Sequence, residues 1–272
     1  MENDAKDFVN SEESAARLGH GRGPSYKLTV AYDGGAYAGW QFQPDRRTVQ
    51  DVLERALQPL AGRLVRVQGS GRTDSGVHAR GQIVSFDVDL SFSDDVVLRA
   101  LNARLPADVR VLEVARYEHG FHALRDVRGK RYRYLIQDGR LGDVFQRSFS
   151  WRVSVPLDDL AMAEAARLLV GEHDFRSFEA AGAKRKSTVR HVTEVNVQRL
   201  QDQPTGLIAV HVAANGFLYN MVRIIVGTLA EVGKGKQPPA WVGEALAARR
   251  REAAGPTAPP EGLCLWEVYC AK

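Results

Sequence analysis

Hydrophobic and polar positions along the chain fall into short alternating runs separated by helical stripes. The run YKLTVAY, 26–32, alternates and is rich in β-branched residues, which predicts a strand ended by Asp33, Gly34 and Gly35. Val49, Val52, Leu53, Ala56, Leu57 and Leu60 recur at helical spacing, with Thr48 and Asp51 placed as a capping pair. Strands are predicted at 64–68 and 82–88, a helix from Ser93 to Arg104 stopped by Pro106, and a strand at 109–117. From Phe121 a similar order returns: a strand at 130–137, an amphipathic helix at 157–170 ended by Gly171, and strands at 188–200 and 207–214. A strongly apolar helix at 217–232, another helix at 239–250 and a strand at 263–270 complete it, while 173–186 and 253–261 read as loops.

This succession predicts an α+β fold of two split-βαβ, RNA-recognition-like halves, with mainly antiparallel sheets forming a central cleft. The domain limits that follow are a disordered tail at 1–24, an N-terminal domain at 25–120 and a C-terminal domain at 121–272. The tail is assigned because its Ser, Glu, Asp and Gly leave little to pack.

Composition narrows the class. A chain of 272 residues, 44% hydrophobic and 26% charged, suits a globular protein with a sizeable core. No apolar run approaches the roughly 20 residues that cross a bilayer, and the acidic, polar start has no secretory pattern. Cys264 and Cys270 fall on one predicted strand, about 20 Å apart at ~3.3 Å per residue, too far for a disulfide. A reduced, cytoplasmic setting is expected. The net charge is +4, but the first 24 residues are net acidic and the body is correspondingly more basic. Bases gather at Arg125, Arg128, Lys130, Arg131 and Arg133, at Lys184, Arg185, Lys186 and Arg190, and at Arg249, Arg250 and Arg251. One such cluster is compatible with a solvated face; three together suit a phosphate-rich partner.

The candidate chemistry lies in GSGRTDSGVHA, 69–79, between two predicted strands. Its glycines imply special backbone conformations or close approach of a ligand. An Asp at 74 near the cation of Arg72 is favoured as a carboxylate, and a carboxylate can attack an electrophilic carbon. Local spacing alone also permits a tight turn in which Asp74 caps the backbone and Arg72 makes a surface ion pair. Other glycine patterns fail: Asp74 stands where the dinucleotide fingerprint needs glycine, and no Ser or Thr follows Lys234 as a phosphate loop requires. No Cys or carboxylate set joins His119 and His122 into a metal site, so no metal is expected.

The stretch GRTDSGVHARGQIVSFD is similar to the signature of the tRNA pseudouridine synthase A family, departing from it only at Ser75, where that pattern has Ala. The resemblance spans nearly all of 26–270. YDGGAYAGWQFQ, TVQDVLERAL, LNARLPADVRV, FHALRDVRGKRYRYLI, GEHDFRSF, FLYNMVRIIVGTLAEVG and APPEGLCLWEVY occur in the family's order. It implies that Asp74 is the nucleophile, and that Arg72 admits the target nucleotide and holds the space it leaves. It implies that Tyr132 packs on the uracil and assists proton transfer, that Arg223 pairs with Asp74, and that Leu263 packs against the other face of the base. Tyr134 shares the strand face of Tyr132, so the choice between them rests on motif position. The resemblance also implies isomerisation of uridines 38, 39 and 40 in the anticodon stem-loop of tRNA, by a homodimer in which one tRNA contacts both subunits. Since the product is an isomer, no cofactor is expected.

Arg223 has a signal of its own, because a charge amid Met221, Val222, Ile224, Ile225 and Val226 needs a partner. Two competing readings remain. Asp87 and Asp89, ending an apolar strand, superficially match a Mg²⁺-dependent phosphatase, which expects a parallel α/β sheet. A non-catalytic RNA-binding protein on the same scaffold also fits the basic clusters, without the aromatic stacking motif of RNA-recognition sheets.

Overall fold

The computed structural model describes residues 24–118, 120–182, 187–200 and 206–270. The expected tail (Pro24 apart), His119, and Lys184, Arg185 and Lys186 of the second basic cluster lie outside the described residues.

The first half contains β1 (Ser25–Tyr32), α1 (Val49–Ala61), β2 (Gln68–Gly69), β3 (His78–Asp87), α2 (Asp94–Asn102) and β4 (Val109–Tyr117). The second half begins with β5 (Val127–Gln137), β6 (Trp151–Arg152), α3 (Asp159–Ala166) and β7 (Gly171–Asp174). It continues with β8 (Val189–Leu200), β9 (Leu207–Ala214), α4 (Met221–Gly233), α5 (Trp241–Ala248) and β10 (Leu263–Cys270). Thr48 opens α1 in extended conformation and accepts from the Asp51 N–H, and Gly62 closes it in the left-handed region.

Among the described residues the strands make one sheet in the order β4-β1-β3-β10-β5-β9-β8-β7, with β2 on β3 and β6 on β5. Neighbours are antiparallel except β5–β6 and β3–β10. The expected α+β class and mainly antiparallel pairing are therefore present, but in one continuous sheet rather than one per half. The join is short: Cys264 pairs with His78 and Leu265 with Ala79. One apolar cluster runs through both halves, from Tyr26, Leu28, Leu53 and Leu57 to Tyr134, Ile224 and Ile225. Period-two alternation sends Ile83 the other way, onto Phe121 and Ala123.

Several element limits differ from the sequence expectation, each for a visible reason. The strand expected at 64–68 shrinks to Gln68–Gly69, because Glu54 Oε1 accepts from the Val67 N–H at 3.1 Å and Gln50 Nε2 donates to the Val67 carbonyl at 3.2 Å. Side chains of α1 thus take the bonds a neighbouring strand would have made. The helix expected from 217 begins at Met221, because Asn220 is left-handed at φ 58° and breaks the helical path. The expected loop at 173–186 overlaps β7, an edge strand of alternating polar residues that pairs with β8.

The loop expected at 253–261 is a strap laid across α4. Gly255 N–H donates to Thr228 Oγ1 at 2.9 Å, and Ala258 N–H to the Arg223 carbonyl at 3.1 Å. Gly227 permits this contact: a Cβ there would lie 1.8 Å from the Pro256 carbonyl oxygen. Gly227→Ala is therefore expected to lower unfolding free energy by about 1–3 kcal/mol through overpacking, measured as a lower urea midpoint with an unchanged slope.

Candidate active site

The Asp74 loop is fastened from three directions. From β3, the Ile83 carbonyl accepts from Ser70 N–H at 2.7 Å, and Gln82 bonds both Ser70 Oγ and the Gly71 carbonyl at 2.7 Å. From the β1–α1 side, Trp40 N–H donates to the Thr73 carbonyl at 3.0 Å, and the Tyr32 hydroxyl meets Thr73 Oγ1 at 2.8 Å. From the strap, Pro260 lies against Gly76, which is left-handed at φ 79°. Gly39 is required twice over: its φ is 98°, and a Cβ there would stand 2.7 Å from the Thr73 carbonyl oxygen. Ser75, the departure from the family pattern, adds a bond from its hydroxyl to the Tyr37 carbonyl at 3.1 Å.

This scaffold holds Asp74 partly buried. Burial raises its carboxyl above the ordinary 3.8, and the Arg223 guanidinium pulls it back only in part. Arg223 comes from α4, where it is half-buried among fully buried apolar neighbours. Its Nε donates to the Ala258 carbonyl at 2.7 Å and its Nη1 to Asn220 Oδ1 at 2.9 Å. Its influence on Asp74 is one of charge, and these two hydrogen bonds anchor it to the strap and the helix start.

Tyr132 and Tyr134 share a face of β5, yet their surroundings differ. The Tyr134 hydroxyl is committed to the Pro259 carbonyl at 2.8 Å, and its ring lies so close to Gly262 that a Cβ there would be 2.5 Å away. Tyr132 is buried edge-on to Phe217, with ring centroids 5.0 Å apart. Its phenol is pushed up, first by burial and then by Tyr32 and Asp74. The Asp74 charge acts on the Tyr132 phenol, whereas that of Tyr134 is raised first by burial and then by Glu261. Leu263 is buried on β10 opposite Tyr134, and Leu265 lies opposite Tyr132. Arg72 is exposed, two residues before Asp74.

The basic cluster at 125–133 divides. Arg131 forms an ion pair with Glu194. Arg133 stacks over Trp266 at 3.7 Å, with Arg80 over the same ring at 4.6 Å. Lys130 reaches the Asp74 loop, its ammonium 2.5 Å from where a Cβ on Gly71 would be. A cavity of about 400 Å³ is lined by His78, Arg80, Arg133 and Trp266, and Asp74 is not among its lining residues. Among the described residues no group of three or more His, Cys, Asp or Glu is placed to hold a metal. Tyr32, Asn220, Phe217 and Ala258 escaped the sequence reading. Asn220 fell inside the apolar helix expected at 217–232, so nothing in that pattern marked it.

A family model described as tRNA pseudouridine synthase matches residues 28–123 and 165–269. The chain is 51% identical over 237 residues to tRNA pseudouridine synthase A of Halalkalibacterium halodurans, covering 87% of this chain and 89% of that protein. It is 47% identical over 242 residues to the protein of the same description from Brevibacillus brevis, covering 89% and 98%. Against that of Myxococcus xanthus it is 43% identical over 246 residues, covering 90% and 92%. The chain belongs to the tRNA pseudouridine synthase family.

The burial of Asp74 has a measurable consequence for stability. An acid whose pKa is higher folded than unfolded adds stability at low pH and loses it as pH rises through its folded pKa. Asp74→Asn is expected to raise the Tm at neutral pH, with the gain closing below about pH 3, where both forms of the site are neutral. Paired thermal melts from pH 3 to 8 check this; an equal or lower Tm at neutral pH contradicts it.

Proposed function

We propose that this protein isomerises uridines 38, 39 and 40 in the anticodon stem-loop of tRNA, with Asp74 as nucleophile. What supports the reading is that the Arg223 charge acts on the partly buried Asp74, and the Asp74 charge on the Tyr132 phenol, groups borne on a helix, a loop and a strand. The two split-βαβ halves, 25–120 and 121–272, are taken to frame the cleft that admits the RNA. Arg72 admits the target nucleotide, Tyr132 packs on one face of the uracil, and Leu263 packs on the other.

The chemistry asks for little beyond these groups. The C1′–N1 bond breaks, the uracil turns, and C1′ bonds to C5. The C5 hydrogen leaves to water and N1 gains a proton, so the product is an isomer and no electrons are exchanged. A single carboxylate suffices, by attack at C1′ or at C6, or by assisting elimination. The base must leave its stack, at a few kcal/mol, and stacking on an aromatic ring returns roughly 1–3 kcal/mol.

The phosphatase reading loses its support, because β3 pairs antiparallel with β1 where Asp87 stands, and exposed Asp89 is paired with Arg116. A cytoplasmic homodimer is the expected setting; no helix among the described residues is long and apolar enough to cross a membrane.

The direct test is tritium at C5 of uridine in an anticodon-arm substrate. Release into water is expected with the wild type and is expected to stop in Asp74→Asn. Release that persists in the variant removes Asp74 as nucleophile. No release by folded wild type leaves the non-catalytic RNA-binding reading. Mapping pseudouridine in the same tRNA checks the three positions.

A further inference from the structure

Arg223 is bonded by the residue that immediately precedes its own helix. Asn220 opens α4 in the left-handed region, φ 58° and ψ 10°, which Asn enters more readily than most residues with a Cβ. An Asn before a helix ordinarily turns its side-chain oxygen onto the unpaired N–H groups of the first turn. Asn220 makes no such capping bond. Its Oδ1 accepts instead from Arg223 Nη1, one turn along at 2.9 Å.

The second anchor comes from the strap. Arg223 Nε donates to the Ala258 carbonyl at 2.7 Å, and the Ala258 N–H donates back to the Arg223 carbonyl at 3.1 Å. Two acceptors on two nitrogens of a planar, rigid group fix both its plane and its direction. Neither bond uses Nη2. The strap that presents Ala258 also presents Pro260 to Gly76 in the Asp74 loop. The guanidinium and the carboxylate are therefore positioned from the same short segment.

We propose that Asn220 is a positioning residue, which together with the Ala258 carbonyl aims the Arg223 guanidinium at the Asp74 carboxylate. This rests on the assignment of Asp74 and Arg223 given above. Arg223 lowers the Asp74 carboxyl by its charge, and the Lys130 ammonium reaches the same loop at Gly71. The nearby phenols of Tyr32 and Tyr132 are pushed up by burial and stay neutral, and Arg72 on the same loop is exposed.

The test compares single-turnover rates at saturating tRNA, across pH, for wild type, Asn220→Gly, Asn220→Asp, Arg223→Gln and the double variant Asn220→Gly/Arg223→Gln. Glycine adopts the left-handed conformation without strain, so Asn220→Gly removes the acceptor and spares the fold. Its rate is expected to fall roughly 10- to 100-fold, the scale of a hydrogen bond to a charged group, with tRNA affinity unchanged. The acid limb of its pH profile is expected to move to higher pH, because a wandering guanidinium no longer lowers the Asp74 carboxyl. Asn220→Asp restores the acceptor and is expected to recover the rate on the alkaline plateau, while its own charge keeps the limb displaced. In the Arg223→Gln background, Asn220→Gly is expected to add nothing. A slow Arg223→Gln beside an Asn220→Gly with wild-type rate and limb overturns the positioning role alone, as do additive effects in the double variant. A wild-type rate and limb in Arg223→Gln instead takes down the assignment of Arg223 on which the proposal rests.

Discussion

The proposed chemistry depends on keeping one carboxylate charged in a place that disfavours charge. A nucleophilic Asp must be ionised, and it must also sit in a pocket dry enough to receive an unstacked base. These demands oppose each other, because loss of water favours the protonated acid. In this protein burial is the larger influence on Asp74, and the Arg223 guanidinium is the opposing one. Removing such a counter-charge leaves a buried ion without compensation, which costs more than the intact pair contributes. The position of Arg223 is therefore a constraint on the whole region, and much of the surrounding structure serves it.

The continuous sheet delivers that constraint. Asp74 is referred to β3 through Gln82 and Ile83, and Arg223 to the strap through Ala258. The strap runs directly into β10, which pairs with β3 on one side and with β5, bearing Tyr132, on the other. The Asp74 loop, Arg223 and Tyr132 are thus registered against adjacent strands. The short parallel contact of Cys264 and Leu265 with His78 and Ala79 joins the halves at the start of β3, where the Asp74 loop ends. Glycines at 39, 76 and 227 permit the close approaches that keep these pieces together.

Much of this could be read from the residues. The strands at 109–117, 207–214 and 263–270 coincide with β4, β9 and β10, and Thr48 caps α1 as its spacing predicts. Alternation and helical stripes report burial, which local sequence records well. The misreadings go back to features that the apolar pattern does not record. Glu54 and Gln50 took the Val67 backbone away from the expected strand, and Asn220 held a conformation that apolar periodicity does not register. The fusion into one sheet was equally hidden, since a two-residue parallel contact leaves no periodic trace. For the site, the Asp74 loop and the charge on α4 were visible, whereas Tyr32, Phe217 and Ala258 are defined only by what folds against them.

The most direct check on this account is the titration of Asp74 itself. Carbon-13 NMR of aspartate carboxyls, with the Asp74 signal assigned by its loss in Asp74→Asn, reports its pKa in the folded protein. The account predicts a value above the ordinary 3.8 in the wild type, rising further in Arg223→Gln. A value at or below 3.8, or one that ignores the loss of Arg223, contradicts the claim that burial and this guanidinium together set the state of the nucleophile.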